Sequence, residues 1–193
     1  MARPGDRKLQ ILQTIAGMLE DPAGEKVTTA LLAKKLDVSE AALYRHFASK
    51  AQMFEGLIEF IESSLFSVIN QIADDEDSGL RQAEMIMVTL LRFAQKNRGL
   101  TRVLIGDALV HENPRLQARI NQLLERVEAT LRQSLKIAAT QGVFAPEHAE
   151  HNFAAHADIL LCHALGRWHR FVKGGFRDDP LASWPAQWPL LAA

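Results

Sequence analysis

The 193-residue chain has few of the features that mark catalysis. It contains one cysteine, Cys162, and its 11 glycines are scattered along the sequence instead of forming a loop that could cradle a phosphate. It also lacks the G-x-S-x-G and H-E-x-x-H patterns of serine hydrolases and zinc proteases. The sequence therefore gives no indication of an enzyme, and Cys162, which lies in an apolar run, is predicted to be a buried structural thiol.

Long hydrophobic runs and strand-like alternation are also missing. No stretch approaches the roughly 20 apolar residues that a membrane-spanning helix needs, and the N-terminus has no apolar block of the kind found in secretion signals. Repeats and low-complexity tracts are absent as well. Hydrophobic residues nevertheless make up 48% of the chain, which is ample for a buried core. We expect a cytoplasmic globular protein.

Apolar residues recur instead at helical spacing through almost the whole chain, which predicts an all-α fold of about nine helices. In the first helix the predicted apolar stripe is Leu9, Leu12, Ile15, Ala16 and Leu19. Residues 97–99, which read Asn-Arg-Gly, are predicted to terminate the fifth helix. The predicted helices span residues 6–20, 29–36, 40–47, 49–73, 80–96, 101–107, 114–140, 146–173 and 184–191.

Residues 28–50, reading TTALLAKKLDVSEAALYRHFASK, predict two short helices joined by a tight turn. Thr28 or Thr29 can cap the first of them by accepting a hydrogen bond from a backbone N–H of its first turn. Asp37 is the predicted turn residue, because aspartate tolerates a left-handed backbone better than most side chains do. Ser39 is the next N-cap. This spacing is typical of a helix-turn-helix that reads double-stranded DNA.

The second of these helices is predicted to present its outer face to DNA. Leu43 and Phe47, four residues apart, anchor it to the core, while Tyr44 and His46 are placed to contact phosphates. Ser49 caps a further helix, where Lys50 in the first turn can add a phosphate contact. The alternative is an ordinary helical hairpin in which Tyr44 and His46 are partly buried.

The distribution of charge agrees with DNA binding at the N-terminal end. Residues 1–50 hold eight Lys or Arg against six Asp or Glu, whereas the remainder holds 14 against 17. Such a small basic excess is compatible with phosphate binding, and it predicts an affinity that depends on dimerisation and falls as salt rises.

Five of the seven histidines lie between residues 148 and 169, and they raise the question of a metal site. His148 and His151 are three residues apart, and His156 and His163 share a helix face, so a divalent metal is conceivable. No carboxylate or cysteine falls at a helical offset that matches both pairs. We therefore predict no metal and no cofactor, and histidines that are exposed or hydrogen-bonded.

The eighth and ninth predicted helices carry more apolar surface than a short domain needs for its own core. The eighth combines large apolar residues with small ones, and tryptophans follow at 184 and 188. A symmetric dimer through these two helices would bury that surface. It would also supply a second recognition helix, so that half-sites roughly 34 Å apart are read together.

With its three-helix N-terminus and helical remainder, the chain resembles the TetR family, whose members are two-fold dimers that bind palindromic DNA. The segments MFEGLIEFIESSL, NRGLTRVLIGDAL and RLQARINQLLERVEATLRQ lie outside the DNA-binding motif. They are similar to the SlmA branch of that family, the nucleoid occlusion factors. The resemblance implies a DNA-binding domain at 1–50 and a dimerisation and partner-binding domain at 51–193, with one or more dimers on each DNA site.

The resemblance also implies site residues. DNA contacts would come from residues of the helix-turn-helix: Thr28, Thr29, Ser39, Ala41, Ala42, Tyr44, His46 and Lys50. In the family the DNA-bound dimer binds the C-terminal tail of the tubulin-like protein FtsZ in a groove between the fourth and fifth helices, and so opposes assembly of the division ring. Phe60 and Asn97 match the pattern of that groove, and Lys96 replaces an arginine with its charge retained.

Several residues depart from the family pattern. Thr89 and Arg92 stand at groove positions where the pattern has leucine and glycine, and Val68 stands where it has arginine. The N-terminal arm is shorter and less basic, with Arg3, Arg7 and Lys8. Because these groove residues differ, we expect the groove either to accommodate a different FtsZ tail sequence or to bind FtsZ more weakly.

Two functional hypotheses from different classes follow. In the first, the protein is a DNA-activated inhibitor of FtsZ assembly, associated with the nucleoid. In the second, it is a transcriptional repressor in which a small apolar ligand enters the helical body and moves the DNA-binding heads apart. An apolar cavity with convergent polar groups would favour the repressor. A filled core with an open groove would favour the division inhibitor.

Overall fold

The computed structural model describes residues 4–21, 26–144 and 152–192, without the side chains of residues 4–6. These ranges contain nine α-helices and a short 3-10 helix at Asp107–Leu109, and no strand occurs within them. The helices are α1 Pro4–Leu19, α2 Thr29–Lys35, α3 Glu40–Tyr44, α4 Lys50–Asp75, α5 Gly79–Lys96, α6 Arg98–Leu104, α7 Pro114–Thr140, α8 Phe153–Lys173 and α9 Trp184–Leu191. No helix in the described part of the chain is both long and apolar enough to cross a membrane.

Contacts between residues divide the chain into two compact units. The first unit consists of Met1–Ile61 with Asn97–Ile120, and the second of Glu62–Lys96 with Asn121–Ala193. The division of the chain at residue 50 into a DNA-binding domain and a dimerisation domain stays a prediction.

In the first unit, the buried face of α1 overlaps the one that its sequence predicts but is shifted from it. Leu9 is 50% exposed, whereas Ile11 and Met18, which the predicted stripe omits, are buried together with Ile15 and Leu19. The reason is the packing of α1 against α6. A Cβ atom at Gly99 would lie 2.1 Å from the carbonyl oxygen of Ala16. This close approach of the two backbones sets the rotation of α1.

Gly99 is therefore a packing residue. The prediction that α5 ends at Lys96 is confirmed, but the prediction that Gly99 belongs to the C-cap of α5 is wrong. Gly99 lies in the first turn of α6, which begins at Arg98, where the prediction began this helix at residue 101. The glycine is needed because any side chain would meet the backbone of α1. Arg102 reinforces the same contact, since its guanidinium donates to the carbonyl oxygens of Leu19 and Asp21 at 3.3 and 3.2 Å.

The core of the second unit is filled by α5 and α8. Trp168 is fully buried and donates from its indole Nε1 to the carbonyl oxygen of Leu90 at 3.1 Å. Gln82 is also buried, and it accepts a hydrogen bond from Ser134 at 3.0 Å. The amide group of Gln82 donates to the carbonyl oxygen of Glu76 at 2.6 Å, which closes the turn between α4 and α5. The buried polar atoms of Gln82 are thus paired, as a stable core requires.

Helix α8 begins at Phe153, later than predicted, because Asn152 is its N-cap. The side-chain oxygen of Asn152 accepts the backbone N–H groups of Ala154 and Ala155 at 3.2 and 3.1 Å. The remainder of the predicted start, at residues 146–151, lies outside the described residues. Many of the apolar residues of α8 are buried within this unit: Ala157, Leu160, Leu161, Ala164, Trp168 and Phe171.

Candidate DNA-binding and partner-binding surfaces

The helix-turn-helix has the capping geometry that its sequence predicts. The hydroxyl of Thr28 accepts the Leu31 N–H, and the hydroxyl of Ser39 accepts the Ala42 N–H, both at 3.2 Å. Between the two helices, Asp37 has a φ of 52°, in the left-handed region. Each of these local predictions is confirmed.

Thr29 has a different structural role from Thr28. Its hydroxyl donates to Glu40 Oε2 at 2.5 Å, which joins the first residue of α2 to the first residue of α3. The hydrogen bond therefore constrains the angle between α2 and α3 at their N-terminal ends. The sequence did not indicate this role for Glu40, because the two residues are eleven positions apart and belong to different helices.

Helix α3 is shorter than predicted and ends at Tyr44 instead of Phe47. The N–H groups of His46 and Phe47 both turn back to the Leu43 carbonyl, at 2.9 and 3.2 Å, so the chain tightens as it leaves the helix. This turn buries Phe47 while Tyr44 stays 45% exposed. His46 is half-buried, just beyond the helix.

The remaining predicted DNA contacts on α3 also lie towards solvent. Ala41 is exposed and Ala42 is half-buried. Because both side chains are methyl groups, a DNA backbone or base edge can approach α3 closely at this point. Exposed basic side chains stand nearby in the sequence, with Lys34 and Lys35 at the end of α2 and Arg45 after α3.

Lys50 differs from the other predicted DNA-binding residues, because its ammonium group is already paired. Its Nζ lies 2.5 Å from Glu112 Oε1 and 5.6 Å from the centre of the Phe54 ring. Glu112 follows His111, whose backbone has a φ of 67°. A phosphate contact by Lys50 would compete with Glu112. No sequence pattern indicated this pair, since 62 residues separate its members.

We predict that Tyr44→Phe and His46→Ala each weaken DNA binding about tenfold or more at moderate salt. Each variant removes a hydrogen bond to a charged phosphate, and such a bond contributes roughly 1.5–3 kcal/mol. Binding to a labelled duplex, measured by fluorescence anisotropy, tests this. The control is Gln133→Ala, which removes an exposed polar side chain from α7 and should leave the affinity unchanged. Equal affinity of all three variants and the wild type would refute the assignment.

The predicted partner-binding residues fall in different parts of the chain. Phe60 lies in α4 and is 46% exposed, which is unusual for a phenylalanine. Lys96 is the exposed last residue of α5, and Asn97 is the N-cap position of α6. Phe60 and Asn97 belong to the first unit, and Lys96 to the second.

A groove of about 630 Å³ lies in the second unit, along the end of α4 and along α5. Val68, Thr89 and Arg92, the three positions that depart from the family pattern, all line it, together with Met85, Val88 and Trp184. The groove is open, since Val68 is 42% exposed and Arg92 is also exposed. Trp184 comes from α9, and its contribution was not indicated by the sequence because it depends on folding.

The three histidines of α8 differ in their surroundings: His156 is buried and hydrogen-bonded, His163 is half-buried and His169 is exposed. His156 Nε2 lies 2.6 Å from the carbonyl oxygen of Leu191, so it ties α8 to the end of α9. Burial lowers the pKa of His163, the nearby charge of Arg167 lowers it further, and Gln187 opposes the shift. His163 is therefore neutral at pH 7. His148 and His151 lie outside the described residues, and within these residues no group of three or more His, Cys, Asp or Glu could hold a metal ion.

Cys162 is exposed, so the prediction of a buried thiol is wrong. It lies on the side of α8 opposite the core and donates to Asp158 Oδ1 at 3.6 Å. Local desolvation and the carboxylates of Asp158 and Glu128 raise the pKa of this thiol. The thiol therefore stays protonated at pH 7, which makes it a poor nucleophile.

The outer surface of α8 and α9 keeps some exposed apolar groups. Ile159 is 55% exposed and Leu190 is 80% exposed. A Cβ atom at Gly166 would meet no atom within 4 Å, so a second helix could approach α8 closely there. These features are compatible with a dimer through α8 and α9, which stays a prediction.

Two protein families match the chain and between them cover most of it. The family described as bacterial regulatory proteins, tetR family, matches residues 11–57. The SlmA-like family, described as tetracyclin repressor-like, C-terminal domain, matches residues 77–193. The second match alone spans more than half of the chain.

Individual relatives agree with these families. The nucleoid occlusion factor SlmA of Vibrio cholerae is 49% identical over 193 residues, which cover 97% of this chain and 95% of the relative. That of Alteromonas mediterranea is 47% identical over 186 residues, or 95% and 92% of the two chains. The fatty acid degradation regulator FadR from Bacillus halodurans has a TM-score of 0.81 over 97% of this chain and 95% of its own, at 15% identity.

The FadR likeness, at that identity, concerns the fold alone. The helices of the described residues and the match of residues 11–57 to the tetR family confirm the predicted all-α, TetR-like architecture. The families that match are DNA-binding regulators and nucleoid occlusion factors, which are not enzymes. Identity of nearly one half over almost the whole chain is far above what a shared fold requires. The protein is therefore a DNA-binding member of the SlmA family, within the TetR-like proteins.

Proposed function

We propose that the protein is a nucleoid occlusion factor: a dimer that binds specific DNA sites and, when bound, inhibits assembly of the FtsZ ring. The observation that carries this proposal is the match of both halves of the chain to relatives named nucleoid occlusion factor SlmA. Since the match extends well beyond the helix-turn-helix, it concerns the body of the protein as well as its DNA-binding end.

The form of the second unit supports a partner-binding body. Its core is filled around Trp168, which is fully buried, while the groove along α4 and α5 is open to solvent. An inducer pocket would be enclosed. This groove is open to solvent, and charged residues are part of its lining, among them Asp75, Arg81 and Arg92. An exposed groove of mixed character suits a peptide segment better than a small apolar ligand.

On the DNA side, α3 of each protomer would enter a major groove. Dimerisation through α8 and α9 would place two such helices on half-sites about one turn of DNA, or roughly 34 Å, apart. Tyr44 and His46 would then contact phosphates, and Ala41 and Ala42 would allow close approach to the bases. Palindromic sites follow from the two-fold symmetry of such a dimer.

Activation by DNA has a physical route through α4. Lys50 is the first residue of this helix and is paired with Glu112, while Phe60 lies further along the same helix. A DNA phosphate that binds Lys50 would release Glu112 and change the contacts at the start of α4. DNA would thus act as a ligand that favours the conformation able to bind FtsZ.

The test is an FtsZ polymerisation assay with FtsZ from the same organism. We expect the protein together with a duplex that carries its binding site, identified by selection from random sequence, to reduce polymer formation. Protein alone, duplex alone and protein with a scrambled duplex are the controls and should have much smaller effects. Polymer formation that is the same in all mixtures would refute the proposal. A small apolar ligand that released the DNA, together with no effect on FtsZ, would instead establish the ligand-responsive repressor.

A further inference from the structure

The polar side chains of the groove are mostly paired with one another. Arg81 forms an ion pair with Glu84 at 2.6 Å. Gln71 donates to Asp75 at 3.3 Å, and the hydroxyl of Thr89 donates to the Met85 carbonyl at 2.8 Å. These groups therefore have little unused hydrogen-bonding capacity for a ligand.

One cationic side chain that lines the groove remains without a partner. Arg92 is exposed and forms no hydrogen bond or ion pair with any described residue. Its guanidinium group is therefore available to form charge-assisted hydrogen bonds with an acceptor of a bound ligand.

The charges of the groove are arranged unevenly along its length. Asp75 and Glu76 lie where α4 passes into α5, and Asp75 is paired only with the neutral Gln71. Arg92 lies thirteen residues after the start of α5, or about 20 Å along this helix. Apolar side chains, including Val68 and Val88, line the space between. The unpaired charge of Arg92 thus lies towards one end of the groove and the carboxylates of Asp75 and Glu76 towards the other, with apolar side chains and the Arg81–Glu84 ion pair between them.

We propose that Arg92 determines the specificity of this groove by binding a carboxylate of the FtsZ tail next to an apolar side chain that packs on Val68 and Val88. This inference rests on the proposed function, which places the tail in the groove. Arginine suits the role because its planar guanidinium forms two parallel hydrogen bonds with a carboxylate. The acidic end, at Asp75 and Glu76, takes a cationic side chain, so the segment binds in one direction only.

The experiment uses the full-length protein, its DNA duplex and a fluorescent peptide with the sequence of the C-terminal tail of FtsZ from the same organism. Anisotropy gives the peptide affinity of the wild type, of Arg92→Gln and of Arg132→Gln. We expect Arg92→Gln to weaken binding tenfold or more. Arg132→Gln is the matched control, since it removes an exposed arginine from α7, a helix that contributes no residue to the lining of the groove, and it should change the affinity less than threefold. DNA affinity and melting temperature should be unchanged in both variants.

The carboxylate is identified with altered peptides. Each Asp or Glu of the tail is replaced singly by Asn or Gln, and one further peptide carries a C-terminal amide. One of these peptides should bind the wild type as weakly as Arg92→Gln binds the normal peptide. The affinity of this altered peptide should not fall further when it is measured with Arg92→Gln, because the two changes remove the same interaction.

The possible failures are distinguishable. If the wild type does not bind the tail peptide, the proposed function and this inference both fail. If the wild type binds the peptide and Arg92→Gln binds it equally well, the role of Arg92 is refuted while the proposed function stands. If palmitate displaces the peptide and every altered peptide binds as tightly as the normal one, the carboxylate site serves a small ligand instead.

Discussion

Replacing Gly99 by alanine is expected to lower the free energy of unfolding by about 3 kcal/mol, which corresponds to a fall of roughly 6–12 °C in melting temperature. The added Cβ atom would lie 2.1 Å from the carbonyl oxygen of Ala16 and 3.1 Å from the Cβ atom of Leu19. The first of these is a backbone atom, so no side-chain rotation relieves the clash. Helices α1 and α6 must move apart, and the packing of Ile15 and Leu19 is lost. Thermal unfolding followed by circular dichroism, at one fixed protein concentration, measures the effect.

Gly17→Ala is the matched control for this prediction. It makes the same substitution in α1, where a Cβ atom would meet no atom within 4 Å. Because alanine has a higher helix propensity than glycine, this variant should be more stable than the wild type by about 0.5–1 kcal/mol. Opposite shifts in the two variants would show that the close approach at Gly99 is the cause. A shift of the same sign and size in both would contradict it.

Replacing Phe60 by alanine is expected to abolish the inhibition of FtsZ assembly while DNA affinity stays within about twofold of the wild type. Phe60 is 46% exposed, so its removal should cost little stability. An aromatic residue at the centre of an interface often contributes 2 kcal/mol or more, which corresponds to roughly thirtyfold in affinity. The polymerisation assay with cognate duplex measures the first effect, and anisotropy with the labelled duplex measures the second.

The control for Phe60 is Val143→Ala, which removes an exposed apolar side chain from the turn after α7. It should inhibit FtsZ assembly as well as the wild type does. Phe60→Leu, which keeps an apolar side chain at the site, should retain part of the inhibition. If Phe60→Ala inhibits FtsZ assembly normally, Phe60 is not part of the partner surface, whatever the outcome for the protein as a whole.

The features that sequence predicted well are those that depend on neighbouring residues. Thr28, Ser39 and Ser49 each accept a hydrogen bond from a backbone N–H three residues later. The left-handed backbone of Asp37 and the bounds of α7 and α9 follow equally from local chemistry. Such features can be predicted from sequence because both partners of each interaction lie within one turn of a helix.

The features that sequence did not predict depend on residues far apart in the chain. The burial of Ile11 in place of Leu9 follows from the approach of α1 to α6, which begins more than eighty residues later. The pairing of Lys50 with Glu112 and the position of Trp184 on the groove are of the same kind. Apolar periodicity identifies a helix face only approximately, because the neighbouring helix decides which residues on that face are covered.

By itself, the sequence determined that this protein is helical throughout, where its helix-turn-helix begins and turns, and which family it resembles. These properties reside in hydrophobic spacing, in capping residues and in segments that can be compared directly. The packing role of Gly99, the exposure of Cys162 and the place of Arg92 on an open groove, with no partner among the described residues, follow only from the tertiary structure. These depend on which helices meet, and helix contacts are set by the three-dimensional packing of distant residues.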